Sequence, residues 1–248
     1  MKYNSTNKKI IKVLNNQKTK NTKQMKTINK IFIALVLLLT FKVGMVNAQG
    51  IKWSEVTEGK KHFVTLNLGA DFSTYYGLNY GYSISNKFLP LIIDAEFDVP
   101  FGEDAFDDWD ARVGLQAQVW NNNNLWWSAK ASVTTKKFES EVASLLNFGS
   151  SFSTLFGYQK PKWGIAAEIA YERSEVTKIE NRLLKDYYPE ITDGWYNSAG
   201  GNFKFGLQAN TSIKSTNLFL HLGKVFGQNF EDNPTLPFYA KVGISKSF

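Results

Sequence analysis

Cysteine is absent from the 248 residues, which excludes a disulfide framework and any thiolate metal site. Histidine is nearly so, with only His62 and His221. Residues 49–248 contain no apolar run approaching the ~20 residues that a membrane-spanning helix needs. They also hold no phosphate-cradling glycine loop, zinc-ligand spacing, calcium-loop spacing or nucleophile elbow. Acidic residues are missing from residues 1–48, which carry ten lysines. The formal charge of +7 therefore belongs to this leader, and the chain beyond it sums to −3. A basic surface for nucleic acid is excluded on that count.

What the leader does contain is ordered by chemistry. Lys26 and Lys30 precede an apolar run, Ile31–Phe41, and small residues follow at Val46-Asn47-Ala48. That sequence of charged, apolar and small regions predicts a signal peptide over residues 1–48, cleaved after Ala48. Met25 would start a leader of ordinary length, so the true start is either Met1 or Met25. Residues 49–62 form a short segment on the inner side, and 63–248 form one domain without a linker.

From residue 63 onward, apolar and polar residues alternate with a period of two, the signature of strands with one apolar and one polar face. Ten such segments are read, at 64–72, 76–84, 91–99, 109–119, 125–133, 146–158, 163–171, 203–213, 218–226 and 238–248. The third is the clearest, with Leu91, Ile93, Ala95, Phe97 and Val99 against Ile92, Asp94, Glu96 and Asp98. The sixth is the weakest, its apolar parity interrupted by Ser150 and Thr154. Connections after even segments are short (85–89, 121–124, 159–162, 215–216). After odd ones they are mostly long (100–108, 135–145, 174–201, 227–237), with only the turn near Ser73 short. Aromatics of the apolar parity gather at segment ends. Tyr82, Trp127, Tyr158, Trp163 and Phe248 mark one rim, and Phe72, Tyr76, Trp109, Tyr171 and Phe238 the other.

The chain ends on Phe248, at the end of an alternating strand carrying Phe238, Ala240, Val242 and Ile244 on one parity. With the leader, the alternation, the unequal loops and the two aromatic girdles, this resembles the small porin-like outer-membrane β-barrels of Gram-negative bacteria. Lys246 departs from the pattern, because many such strands carry an aromatic two positions before the end. The resemblance implies an all-β fold: a single antiparallel up-and-down transmembrane β-barrel of about ten strands. It implies localisation in the outer membrane, with outer-membrane lipid and the barrel-assembly machinery as partners and Phe248 as the assembly signal.

In that arrangement the polar parity lines a lumen holding Asp94, Glu96, Asp98, Asp110, Arg112, Lys130, Glu168, Lys204, His221 and Lys241. Pairing the third and fourth strands across their loop sets Glu96 opposite Arg112, a structural ion pair, and Asp98 opposite Asp110, a juxtaposition of like charge. With Glu103, Asp104, Asp107 and Asp108 nearby, these residues make one mouth acidic. The readings are a vestibule that attracts cations or a divalent-ion site of carboxylate oxygens, against an ordinary solvated loop. His221 is read as a packed or salt-bridged lumen residue in preference to a catalytic one. In segment 174–201, Val176, Ile179 and Leu183 stand at helical spacing, which reads as a short helix capping the mouth or as a loop that binds an external partner of unknown kind, against plain packing on neighbouring loops. No metal, cofactor or enzymatic activity is expected. Ten strands leave a narrow interior, so the functional expectation is a passive pore for small polar solutes or cations. A non-conducting structural or partner-binding barrel is the alternative, and an outer-membrane hydrolase a less favoured third.

Overall fold

The computed structural model describes residues 52–84, 88–102, 106–197, 200–213, 216–230 and 236–248. The signal-peptide reading, with Met25 and Ala48, and the acidic residues Glu103 and Asp104 lie outside the described residues. Eleven strands form one antiparallel sheet: β1 (His62–Ala70), β2 (Thr74–Ile84), β3 (Leu91–Pro100), β4 (Trp109–Asn122), β5 (Leu125–Glu139), β6 (Ala143–Lys160), β7 (Trp163–Asn181), β8 (Gly194–Asn197), β9 (Gly201–Ile213), β10 (Thr216–Gly227) and β11 (Phe238–Ser247). Each strand except β8 pairs with its sequence neighbours in the ring, and β1 pairs with β11. The result is a closed ten-stranded up-and-down barrel in which β8 hangs outside the ring, bonded to the upper part of β7. Closure leaves no ring strand with an unpaired edge. At the seam, Phe248 exchanges both backbone hydrogen bonds with His62, each 3.0 Å, and its ring stacks on the His62 imidazole at 5.5 Å.

The alternation read from the sequence places the two faces of the wall. Leu66, Leu78, Ile93, Leu115, Phe152, Ile169, Leu207 and Ile244 are exposed on the outside. Thr65, Asn79, Asp94, Gln116, Ser128 and Lys204 are buried inside. A soluble barrel has the opposite distribution, since water favours polar atoms on the outer surface.

Two expectations need correction. The loop expected at 135–145 shrinks to 140–142, because β5 and β6 run on to Glu139 and from Ala143, pairing Lys137 with Leu146 and Phe138 with Leu145. The helix expected from Val176, Ile179 and Leu183 is strand as far as Asn181. Glu175 bulges out between Ser174, opposite Gly149, and Val176, opposite Phe148. That extra residue shifts the parity ahead of Val176; Val176 and Ile179 both follow it on one continuous strand, so their three-residue interval puts them on opposite faces and is helical only in number. Among the described residues of that segment, Leu183–Tyr187 forms a helix, α2. Within the same expected loop lies β8, whose Trp195 packs beside Phe148 at 5.9 Å. With β6 at 18 residues and β7 at 19, these strands are nearly twice the ~9–11 residues of a membrane-crossing strand. Their upper halves and β8 therefore form a sheet that projects beyond the ring.

The segment before β1 also has structure. Residues Trp53–Thr57 form a one-turn helix, α1, preceded by the buried Lys52. Lys52 donates from Nζ to the Pro161 carbonyl and, at 3.3 Å, to Ser212 Oγ, both at the end of the tight turns. Trp53 packs into a cluster with Phe63, Ile92, Trp126, Leu155 and Ala166, and Val56 lies against it.

Candidate functional site: the charged lumen

The cluster around Trp53 forms the floor of the lumen. Each of its barrel members occupies the inward parity near a tight turn, where the alternation breaks into consecutive apolar residues: Phe63-Val64, Leu91-Ile92-Ile93, Leu125-Trp126-Trp127, Leu155-Phe156 and Ile165-Ala166. Those doublets were the signal for an internal apolar layer, and sequence reasoning passed over them because it sought only the outward parity.

Above this layer lies a cavity of about 210 Å³, walled by ion pairs that mostly reach across the barrel. Lys130 bonds Asp94, which also accepts from Asn79 Nδ2 at 3.4 Å. Lys241, on β11, bonds Glu96, on β3. His221 Nε2 lies 2.5 Å from Glu168 Oε2, and the Tyr239 hydroxyl donates to the same oxygen at 2.8 Å. Higher up, Lys204 bridges Asp71 at 2.6 Å and Glu172 at 3.1 Å. Lys136 joins Glu172 and Asp110, the latter at 3.5 Å. Arg112 grips Asp110 through Nη2 at 2.5 Å and Nε at 3.2 Å, with Asp71 at 3.8 Å.

The register between β3 and β4 is the one read from the sequence, with Glu96 opposite Arg112 and Asp98 opposite Asp110. The expected Glu96–Arg112 ion pair does not form. Arg112 turns to Asp110 on its own strand, and Glu96 takes Lys241 from the far side of the seam. The two aspartates separate in the same way. Asp110 is fully buried but held by two cations, whereas Asp98 is fully buried and neither of its carboxylate oxygens has a hydrogen-bond partner among the described residues. Asp98 sits over Gly77, which it faces in the β2–β3 register, and a Cβ there would collide with Asp98 Oδ1 and with the Asn67 amide.

Among the other acidic-mouth candidates, Asp108 is spent locally, its Oδ1 accepting the Glu139 amide at 2.8 Å. Asp107 sits partly exposed in the turn before β4. Asp71, Lys136, Glu172 and Tyr239 complete the network and were not among the candidate residues. Asp71 and Glu172 had polar-parity signals, while Lys136 fell in what was read as loop. A network of this kind is rigid. Its charges offset the large desolvation penalty of burial, and removing one partner leaves an uncompensated buried charge, worth about 3–5 kcal/mol.

No protein-family model and no curated protein matches the chain. The fold and its lumen define a class on their own: a closed ten-stranded antiparallel β-barrel with an apolar exterior, an ion-paired interior and an apolar cluster around Trp53 toward one end.

Proposed function

We propose that the protein is an outer-membrane β-barrel that is closed to through-flow as folded, serving as a membrane-embedded scaffold for the sheet projecting above its ring. The observation that carries this reading is the inverted distribution of side chains combined with the layer around Trp53. An exterior of Leu66, Leu115, Val133, Phe152, Ile169 and Leu207 suits hydrocarbon and is costly in water. The closed hydrogen-bond ring meets the requirement that no backbone group be left unpaired in lipid.

Between the narrow-pore and closed-barrel readings, the side chains favour the second. A polar solute moving along the axis would part several buried ion pairs and then cross Trp53, Phe63, Ile92 and Trp126. The hydrolase reading gains nothing, since Glu168 and Tyr239 engage His221 Nε2. The membrane reading is tested by folding residues 49–248 into vesicles of brominated phosphatidylcholine. Bromine on the acyl chains should quench the outward Trp120 and Trp127, read in variants that keep only those two tryptophans. Unquenched, folded protein in the aqueous fraction would overturn the reading.

A further inference from the structure

The two ends of the barrel carry their cations differently. At the long-loop end Lys137, Arg173, Lys178, Arg182 and Lys185 each form an ion pair with a carboxylate. At the tight-turn end Lys60, Lys61, Lys160, Lys162 and Lys246 are exposed, and none of them forms an ion pair among the described residues. The acidic side chains described at that end are Glu55 on α1 and Glu58 just beyond it. One rim of the barrel is therefore left with a surplus of positive charge.

The outer face of the β6–β7 hairpin adds an order to this charge. From mid-strand toward the turn, its outward residues follow in facing pairs: Phe156 with Ala167, Tyr158 with Ile165, then Lys160 with Trp163. Phe156 and Ile165 stand exposed on the outer wall. The rings of Tyr158 and Trp163 lie 5.6 Å apart, and Lys160 Nζ sits 5.8 Å and 5.6 Å from their centroids. Lys162 follows in the turn. Hydrocarbon, aromatic collar and ammonium thus succeed one another as the acyl chain, glycerol and phosphate of a lipid do.

We infer that the tight-turn rim binds anionic glycerophospholipid, its headgroup phosphate at Lys160 and Lys162 and its acyl chain along Phe156 and Ile165. Charge complementarity selects the headgroup. A zwitterionic lipid brings its own ammonium to lysines that lack a counter-ion, whereas an anionic one neutralises them. A basic residue at an anionic bilayer surface favours association about fivefold. The apolar wall directly beside the lysines selects an anion that carries a hydrocarbon chain over a soluble one. At the opposite end the cations are already paired, so the preference belongs to one rim. The inference rests on the membrane reading and adds to it which lipid the barrel recruits and at which end.

The test folds residues 49–248 into phosphatidylcholine vesicles, in a variant that keeps Trp163 as its only tryptophan. Brominated phosphatidylglycerol and brominated phosphatidylcholine are compared as quenchers at equal mole fraction. Phosphatidylglycerol should associate at Trp163 about fivefold more strongly. The preference should vanish in Lys160→Gln/Lys162→Gln and persist in Lys160→Arg/Lys162→Arg. A variant keeping only Trp109, at the opposite rim, should show none. Spin-labelled forms of the two lipids, applied to the protein with all its tryptophans, should give the same order and do not depend on the single-tryptophan variants folding. Equal quenching of Trp163 by both lipids would overturn the inference while leaving the membrane reading intact. Folded protein quenched by neither lipid would overturn the membrane reading, and this inference with it. A preference that survives Lys160→Gln/Lys162→Gln would overturn the assignment to these lysines. Displacement of the lipid by inorganic phosphate or an acidic peptide, beyond the effect of potassium chloride at equal ionic strength, would make the rim a site for a soluble anion and overturn the lipid assignment.

Discussion

Leu115 and Gln116 are adjacent on β4 and face opposite sides of the wall, at 47% and 7% exposure. Leu115 lies at the centre of the strand, Trp109–Asn122, opposite Ile93 on one side and Ala131 on the other. In a bilayer this position is near the midplane, where an outward arginine costs ~2–4 kcal/mol. At 1.4 kcal/mol per decade, Leu115→Arg should shift the folding equilibrium in lipid vesicles about 30- to 700-fold toward the unfolded state. On a water-facing wall the same change would stay within about 0.5 kcal/mol of wild type. Gln116→Ala is the internal control: it removes the 3.3 Å bond to the fully buried Ser128 Oγ and should cost about 1–3 kcal/mol in either environment. Guanidinium unfolding followed by tryptophan fluorescence gives both values. A Leu115→Arg variant as stable as wild type in vesicles would refute the assignment of the outer face to lipid.

Further outcomes follow from the lumen and the seam. Asp98→Asn should raise stability by about 1–3 kcal/mol, since it replaces an unpaired buried carboxylate with an amide able to donate to Asn67 Oδ1. Asp110→Asn should lower it by about 1.5–3 kcal/mol by taking the charged partner from Arg112, which keeps only Asp71 at 3.8 Å, and leaving Lys136 with Glu172 alone, and denaturation midpoints of the two variants should lie on opposite sides of wild type. Deleting Phe248 removes the two His62 bonds that close the seam, so heat-modifiable protein in the membrane fraction should fall; an unchanged level would separate Phe248 from assembly. Lys52→Ala frees α1 from Pro161 and Ser212, and hydrogen exchange across residues 53–57 should rise while that of β9 and β10 does not.

The ten ring strands, their two faces and the register of β3 against β4 were legible because they depend on a period of two and on short connections, both local properties. The ion pairs were not. Glu96 and Lys241 are 145 positions apart, and nothing local tells a lumen carboxylate which of several cations will reach it across the axis. Where a bulge intervenes, at Glu175 on β7 and between Gln118 and Trp120 on β4, the parity shifts by one place and the period loses its phase; the helical spacing of Val176 and Ile179 is a coincidence within one continuous strand. β8 escaped notice because four residues, Gly194–Asn197, are too few to show a period. The apolar floor was visible in principle in the paired residues Leu125-Trp126-Trp127 and Leu91-Ile92-Ile93, but it takes the closed ring to show that Trp126 and Ile92 meet Trp53.

That floor is what separates a closed barrel from a pore, and ion current measures it directly. Purified residues 49–248 in a planar bilayer should insert without conductance steps at moderate voltage in 1 M KCl. A variant lacking residues 52–59, with Trp126→Ala and Ile92→Ala, should conduct. A steady ohmic current through the wild-type protein would contradict the account and restore the passive-pore reading.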